Sequence, residues 1–197
     1  MIQRTGVVLI GGEGRRMGGR EKYSILHEGR TFLDHLLDTL RETTDEVIVV
    51  SRDSEQRARC EAVTGARCIT DIRRGIGPIG GIHAASRSAR GELLCVVACD
   101  MPCISPAVIE YLFSRCEGYD AAVPCWNREM LEPLHAIYRR EAVVQALETD
   151  PSLSLRGMIS RFHTRYIPIG EIRRFDPVLH TFTNINHPHD LERFTNR

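Results

Sequence analysis

The sequence lacks a net charge, because 26 acidic side chains balance 26 basic ones among its 197 residues. An overall field that would recruit nucleic acid or an anionic membrane is therefore missing. The sequence also lacks an apolar run of about 18 residues, and its N-terminus lacks the basic-then-apolar layout of a signal peptide. We expect a soluble, cytoplasmic protein in which local groups of basic residues carry any anion binding.

Closely spaced cysteine pairs are also missing. The seven cysteines lie at positions 60, 68, 95, 99, 103, 116 and 125, and no two of them form a CxxC pair. A structural zinc site usually needs such pairs, and an intracellular protein keeps its thiols reduced. Cys95, Cys99 and Cys103 could form a metal or redox cluster, but burial as small apolar side chains is the favoured interpretation. We expect neither a disulfide framework nor a structural metal.

The sequence does contain an alternation of apolar strands and helical segments, within a length that suits one domain. Short runs rich in β-branched residues occupy 7–10, 47–50 and 93–98, which is typical of parallel strands covered on both faces. Residues 31–42 place apolar side chains at helical spacing, and residues 82–90 are of similar character. This order predicts a doubly wound, mostly parallel α/β sheet flanked by helices, with ligands beyond the carboxyl ends of the strands.

The C-terminal third continues the same α/β body without a repeat or a linker. Its predicted elements are a strand at 135–138, helices at 141–147 and after Ser152, extended pieces at 164–169 and 181–186, and a last helix from His189. We interpret the whole chain, residues 1–197, as a single domain whose C-terminal part is shaped to hold a second substrate.

The first predicted strand ends in a loop that is rich in glycine and in basic residues. Glycines allow positive φ and close approach of a ligand to the main chain; here they are Gly11, Gly12, Gly14, Gly18 and Gly19. The basic residues are Arg15, Arg16, Arg20 and Lys22. A phosphate chain fits both properties, whereas a flexible surface loop, the alternative, would not call for four cations.

This loop matches neither of two familiar phosphate-binding motifs. The dinucleotide fingerprint GxGxxG fails because Met17 stands where its third glycine is required. The P-loop pattern fails because Arg20 and Glu21 follow Gly19 in place of a lysine and a hydroxyl residue. The loop alone therefore does not identify the phosphate compound.

Two acidic residues are further candidates for ligand contacts. Asp100 comes after the apolar run at 93–98, and magnesium typically takes one or two carboxylates and completes its shell with water and phosphate oxygens. Asp100 could therefore anchor magnesium; the alternative is a turn cap before Pro102. Asp71 precedes a glycine-rich stretch around Pro78, where close backbone approach to a base or a ribose is predicted.

Four motifs, in order along nearly the whole chain, carry a resemblance to a known family. They are LIGG (9–12) with RRMGG (15–19) and Lys22, then GPIGGI (77–82), ACDMP (98–102) and FTNINHP (182–188). Together they resemble the molybdenum cofactor guanylyltransferases, nucleotidyltransferases with a Rossmann-like, nucleotide-diphospho-sugar-transferase-like fold. The resemblance implies Mg²⁺-dependent transfer of GMP from GTP to the terminal phosphate of molybdopterin, with release of pyrophosphate.

The same resemblance implies roles for individual residues. The implied nucleotide contacts are Leu9, Ile10, Gly11, Gly12, Gly14, Asp71, Gly77, Pro78 and Gly80. Of the implied catalytic residues, Arg16 and Lys22 would hold the departing phosphates and Asp100 would bind magnesium. Asn184 and Asn186 would face the pterin. Residues up to about 105 would bind the nucleotide, and residues from about 106 to 197 would bind the pterin acceptor.

Two motifs depart from the usual pattern of this family, and both concern the part that selects the base. Ile10 replaces the alanine of LAGG, and Ile79 and Gly80 replace the leucine and the alanine of GPLAG. The related cytidylyltransferases commonly carry LAAG, so Gly12 favours guanine, while Gly80 leaves the choice of base open. Ser51 and Arg52 occupy a position where the family often has an asparagine.

Several alternatives stay open at this point. The function could be that of a molybdopterin cytidylyltransferase, a sugar-phosphate nucleotidyltransferase, or a non-catalytic nucleotide-binding or carrier protein. His135 is interpreted first as a core residue, and Arg139, Arg140 and Arg156 either meet the pterin phosphate or cover a surface. We expect no nucleic-acid or membrane partner, and transient contacts with other molybdenum-cofactor biosynthesis proteins.

Overall fold

The computed structural model describes residues 2–12, 21–73, 75–186 and 190. Within them, one sheet contains the strands β1 (Arg4–Leu9), β4 (Glu46–Ser51), β5 (Arg67–Thr70), β6 (Leu93–Ala98), β7 (Ala121–Cys125), β8 (His135–Arg139) and β9 (Thr164–Pro168), and a hairpin contains β2 (Leu26–His27) and β3 (Arg30–Thr31). The α-helices are α1 (Phe32–Thr43), α2 (Ser54–Thr64), α3 (Pro78–Ser88), α4 (Pro106–Arg115), α5 (Arg140–Thr149), α6 (Leu155–Arg161) and α7 (Ile169–Ile172). Short 3₁₀ turns occur at Lys22–Ser24 and His180–Phe182. None of these described helices is long and apolar enough to cross a membrane.

The large sheet is parallel on one side and mixed on the other. Its strand order is β5-β4-β1-β6-β8-β7-β9, and β5, β4, β1 and β6 run parallel. β8 is antiparallel to β6 and β7, whereas β9 is parallel to β7. The prediction of a mostly parallel α/β sheet is therefore confirmed, with β8 as its antiparallel strand.

Apolar side chains cover both faces of the sheet, which explains why the central strands read as continuous apolar runs. Successive residues of a strand point to opposite faces. Val8 accordingly belongs to the same core cluster as Leu36 of α1 and Ile109 of α4. Val7 belongs to a second cluster with Ile82 of α3. All five of these side chains are fully buried. Helices therefore flank the sheet on both sides.

Most elements predicted from the sequence are confirmed, with some ends shifted. The three predicted apolar strands correspond to β1, β4 and β6. The first predicted helix corresponds to α1, which starts with a capping box formed by Thr31 and Asp34. Helix α3 begins at Pro78, four residues earlier than predicted, because proline is favoured in the first turn of a helix.

The C-terminal third also follows the prediction in outline. β8, α5, α6 and β9 correspond to the predicted strand, helices and first extended piece. The piece at 181–186 is not extended throughout, because residues 181 and 182 belong to the second 3₁₀ turn. The last helix, predicted from His189, lies outside the described residues except for Asp190.

The order of the strands creates a crevice at one edge of the sheet. From β1 the chain passes through α1 to β4 on one side, and it later enters β6 on the other side. Such a reversal leaves a crevice at the carboxyl ends of the central strands. The residues that follow Leu9, Ser51 and Ala98 therefore lie around a common space.

His135 lies in the core. Its side chain is fully buried, with Nδ1 at 3.2 Å from the carbonyl oxygen of Thr181 and Nε2 at 3.4 Å from the Thr181 hydroxyl. Because a carbonyl oxygen can only accept, Nδ1 carries the proton and Nε2 accepts from the hydroxyl. Burial lowers the pKa of His135 to about 4, so the ring is neutral at neutral pH.

We expect His135 to make stability depend on pH between its ordinary pKa of about 6.5 and its folded pKa of about 4. In that interval the unfolded chain binds a proton at His135 and the folded protein does not. The free energy of unfolding should therefore decrease as the pH falls, by roughly 3 kcal/mol in total. Urea unfolding at pH 7 and pH 4 should show this contribution in the wild type and not in His135→Asn.

The exposed His180 supplies a matched control. His180→Asn should keep the pH dependence of the wild type. If His135→Asn also kept it, burial of the neutral imidazole would not contribute to the acid sensitivity of the fold.

Candidate functional site

Residues from five stretches of the chain line a cavity in the crevice. The cavity has a volume of about 730 Å³, within the range of roughly 300–1,000 Å³ that is usual for small-molecule sites. Its described lining residues are Leu9, Gly11, Gly12, Lys22, Val50, Ser51, Arg52, Asp53, Asp71, Gly75, Gly77, Pro78, Gly81, Ala98, Cys99, Asp100 and Leu134. The first three sequence motifs thus lie around one space.

The ammonium group of Lys22 joins two other motifs. Its Nζ lies 2.9 Å from Oδ2 of Asp100 and donates to Oδ1 of Asn186 at 2.7 Å. The backbone N–H of Ile185 donates to the backbone oxygen of Asp100 at 2.9 Å, which links the same two segments. The side chains of Lys22 and Asp100 are 19% and 22% exposed. A ligand in the cavity can therefore contact both charges.

A short turn fixes the main chain at Lys22. Lys22 begins a 3₁₀ turn, and the N–H of Ile25 donates to the Lys22 carbonyl oxygen at 3.2 Å. Tyr23 is buried in the core, and the N–H of Phe32 donates to Ile25 at 2.9 Å. The ammonium group thus extends from a packed backbone. Lys22 is also the only lysine in the sequence.

Asp71 is held at the end of β5 by contacts that depend on Gly80. The Asp71 N–H donates to the carbonyl oxygen of Ser51 at 2.8 Å, and Oδ1 of Asp71 accepts from the N–H of Arg73 at 2.7 Å. A Cβ at Gly80 would lie 2.5 Å from Oδ1 of Asp71 and 2.7 Å from the carbonyl oxygen of Arg73. A glycine at position 80 therefore lets this turn pack against α3.

The start of α3 also requires a glycine. Gly77 has φ of +79°, a conformation that other residues rarely adopt, and it directly precedes Pro78 at the first position of the helix. This turn brings Gly77 and Pro78 to the cavity surface. The second motif thereby contributes main chain to the cavity.

Not every residue singled out by the sequence lines the cavity. The side chain of Ile10 is buried in the core, and Gly80 lies buried beneath Asp71. Asn184 is exposed and is not part of the described lining. Gly14 and Arg16 lie outside the described residues. The functional roles of these five residues remain predictions.

Two of the three candidate arginines of the C-terminal third lie at the opposite edge of the sheet. Arg139 pairs with Leu93 at the start of β6, whereas Asp100 follows the end of that strand. The N–H of Arg140 donates to Glu92 at the same far edge. Arg156 donates to the carbonyl oxygen of Glu129 at 2.8 Å on the surface. Arg139 and Arg140 therefore fit the surface interpretation.

Sequence reasoning gave no role to three residues at the end of β4 that line the cavity. Ser51 donates from Oγ to the carbonyl oxygens of Asp53 and Ile69, both at 3.0 Å, and thus supports the backbone. Arg52 and Asp53 contribute charge to the lining. Their position directly after a central parallel strand was the available signal, because such strand ends face the ligand crevice.

The described residues fit a magnesium ion that is bound mainly by phosphate oxygens better than a structural metal ion. Among them, no group of three or more histidine, cysteine, aspartate or glutamate side chains is placed to hold a metal. Magnesium bound to phosphates needs only one or two protein carboxylates. Asp100 supplies one such carboxylate at the cavity, and Oδ1 of Asn186 is a further hard oxygen donor close to the same ammonium group.

The cysteines near the cavity are not arranged as ligands. Cys95 is fully buried, and burial raises the pKa of Cys95 and of Cys99 to about 12. Burial also raises the pKa of Cys103 to about 11. These thiols are protonated at neutral pH, whereas metals and electrophiles require the thiolate. Cys95 and Cys99 pack in the core, whereas Cys103 is only partly buried.

Comparison with known proteins agrees with this geometry. A family model described as the MobA-like NTP transferase domain matches residues 6–165. The chain belongs to this family. The matched region runs from Gly6 in β1 to beyond β8 and contains every described residue that lines the cavity.

Relatives within the MobA-like family extend the similarity over nearly the whole chain. A protein of Methanosarcina mazei named a probable molybdenum cofactor guanylyltransferase is 37% identical over 198 residues, covering 96% of this chain and 88% of its own length. A protein of Desulfosudis oleivorans named a molybdenum cofactor guanylyltransferase is 31% identical over 191 residues, covering 96% and 93%.

Solved structures show the same fold. Molybdopterin-guanine dinucleotide biosynthesis protein A from Archaeoglobus fulgidus superposes with a TM-score of 0.83 at 32% identity, over 98% of this chain and 97% of its own. A synthetase of CMP-2-keto-3-deoxy-manno-octonic acid gives a TM-score of 0.73 at 14% identity, over 98% and 97%. The latter likeness concerns the fold alone.

We expect Gly80→Ala to destabilise the protein. Helix propensity alone would favour alanine by up to about 1 kcal/mol, but the new Cβ would overlap Asp71 and the Arg73 carbonyl. Overpacking of this kind typically lowers the free energy of unfolding by about 1–3 kcal/mol. Gly170→Ala is the matched control, because no atom lies within 4 Å of a Cβ at that helical position. Urea unfolding that showed no difference between the two variants would contradict the close packing of the Asp71 turn.

Proposed function

We propose that the protein transfers GMP from GTP to the terminal phosphate of molybdopterin, forming the guanine dinucleotide cofactor and releasing pyrophosphate. The contact of Lys22 with Asp100 and Asn186 carries this proposal. It joins the glycine-rich loop to the motifs ACDMP and FTNINHP. Membership of the MobA-like NTP transferase family and the names of the relatives support it.

In this proposal residues up to about 105 bind the nucleotide. Leu9, Gly11 and Gly12 would contact the donor at the start of the loop, and Asp71 would contact the nucleoside across the cavity. The α-phosphorus must be presented to the acceptor with the pyrophosphate in line behind it. Alignment and charge neutralisation are the main tasks of the protein, because the nucleophile is already an anion.

Lys22 is the cation best placed among the described residues to meet the departing phosphates. Its ammonium group can exchange bonds to Asp100 and Asn186 for charge-assisted bonds to phosphate oxygens. Arg16, in the same loop, is proposed for the same task. Magnesium held by Asp100 would neutralise phosphate oxygens and polarise the reacting group.

The acceptor is proposed to bind residues from about 106 onward. Asn184 and Asn186 would face the pterin. Asn186 accepts from Lys22, so the proposed pterin side and the phosphate-binding side share a hydrogen bond. Transient contacts with other molybdenum-cofactor biosynthesis proteins are part of the proposal.

Pyrophosphate release tests the proposed reaction directly. GTP, CTP and ATP are compared as donors, each with and without molybdopterin and with and without magnesium. We expect release with GTP only, and only when both molybdopterin and magnesium are present. A preference for CTP would overturn the choice of guanine, and the lack of release with any donor would overturn the transferase.

We also expect substitution of Lys22 and substitution of Asp100 each to lower the turnover. Lys22→Met should lower kcat by about 100-fold or more, the usual effect of removing one preorganised electrostatic group. Asp100→Asn, which keeps the shape and removes the charge, should lower magnesium-dependent turnover while the protein stays folded. Asp38→Asn is the control, because Asp38 forms a surface ion pair with Arg30. A decrease of less than about threefold would remove the substituted residue from the reaction.

A further inference from the structure

Arg52 contacts both ends of the glycine-rich loop. It follows β4, and its Nη1 donates to the carbonyl oxygen of Gly12 at 3.1 Å. Its Nη2 donates to Oε1 of Glu21 at 2.9 Å, and its Nε donates to Oδ2 of Asp53 at 3.0 Å. All three guanidinium nitrogens therefore have protein acceptors. Arg52 thus lines the cavity while its hydrogen-bonding groups are directed at the protein.

Gln56, in the first turn of α2, makes a second connection between the same two ends. Its Nε2 donates to the carbonyl oxygen of Ile10 at 3.1 Å and to Oε2 of Glu21 at 2.6 Å. Its Oε1 accepts from the N–H of Arg52 at 2.8 Å. Gln56 is fully buried, although glutamine is usually exposed. Burial keeps water from replacing these bonds.

The start of α2 holds this pair in place. Asp53 is the N-cap, and its Oδ1 accepts from the N–H of Gln56 at 2.7 Å. Its Oδ2 accepts from Arg52. Glu21 receives Arg52 on one carboxylate oxygen and Gln56 on the other. Since Glu21 directly precedes Lys22, the position of this carboxylate fixes the main chain that carries the ammonium group.

We propose that Glu21, Arg52 and Gln56 form a loop clamp, which holds the first and last residues of the glycine-rich loop at the spacing that its ligand requires. Insofar as the ligand is a nucleotide, this inference rests on the proposed function. The clamp residues are positioning residues: they act through Gly12 and Lys22 and do not touch the reacting atoms. Ile10, which does not line the cavity, then has a role through its carbonyl oxygen.

The physical benefit of the clamp is preorganisation. Closing a free loop and ordering it around a ligand both cost conformational entropy. Where the loop ends are already held, less of that entropy is lost on binding, so affinity rises without a new contact to the ligand. A forked side chain suits this task because a guanidinium donates in several fixed directions at once.

Hydrogen exchange tests the clamp without any ligand. Arg52→Met removes the fork, and Arg52→Lys keeps the charge but cannot donate to Gly12, Glu21 and Asp53 together. Arg57→Met is the matched control, because Arg57 lies close by on α2 and pairs with Glu61 at the surface. We expect the amides of residues 10–12 and 21–25 to exchange at least about tenfold faster in both Arg52 variants and unchanged in Arg57→Met. Unchanged exchange in both Arg52 variants would overturn the clamp.

GTP affinity, measured by calorimetry, separates positioning from direct charge recognition. We expect the Kd to rise about tenfold in both Arg52 variants, because the positions of Gly12 and Glu21 then have to be fixed on binding. Wild-type affinity in Arg52→Lys together with a loss in Arg52→Met would mean that Arg52 acts as a charge on the ligand, and the clamp would be overturned. If the wild type bound no GTP, the proposed function would fail, while the exchange measurement would still decide the clamp. If Arg52→Met does not fold, Arg52→Lys still allows the test.

Discussion

The parallel pairing of β1 with β4 on one side and β6 on the other is the constraint on which the site depends. Leu9 pairs with Val50 in β4 and with Ala98 in β6, so three chain segments leave the sheet at nearly the same level. Helix α3 must also pack closely against the ends of these strands. Gly81 permits that approach, because a Cβ there would lie 3.1 Å from Leu9 and 3.3 Å from Val50.

Each cation among the described lining residues of the cavity is paired with a carboxylate of the protein. Lys22 faces Asp100, and Arg52 faces Glu21 and Asp53. These partly buried pairs interact more strongly than fully exposed pairs would. The zero net charge of the chain is thus compatible with a site for a polyanion. Recognition by Lys22 requires an exchange of partners, since its ammonium group is already bound.

The sequence predicted the fold where the physical signal was local. Continuous apolar runs identified β1, β4 and β6, and helical spacing identified α1. The direction of β8 could not be predicted in this way, because a buried strand shows the same apolar pattern whichever way it runs. The motif residues Lys22 and Asp100 were found because glycine, charge and position after a strand all pointed to the same edge.

The parts of the site that the sequence did not reveal depend on side-chain direction and on distance in space. Leu9 and Ile10 are neighbours, yet one lines the cavity and the other faces the core. The contact of Gly80 with Asp71 depends on how the turn after β5 folds over α3. Gln56 looked like one of many polar helix residues, because its burial against Ile10 and Glu21 follows only from the tertiary structure.

The presence of a single lysine, located at the cavity, also has a spectroscopic consequence. A protein prepared with isotope-labelled lysine has one labelled side chain, and its ε-ammonium group lies between Asp100 and Asn186. Its nuclear magnetic resonance signal needs no assignment, because no other side chain can produce it. The sequence thus supplies a built-in reporter of the electrostatic environment of the cavity.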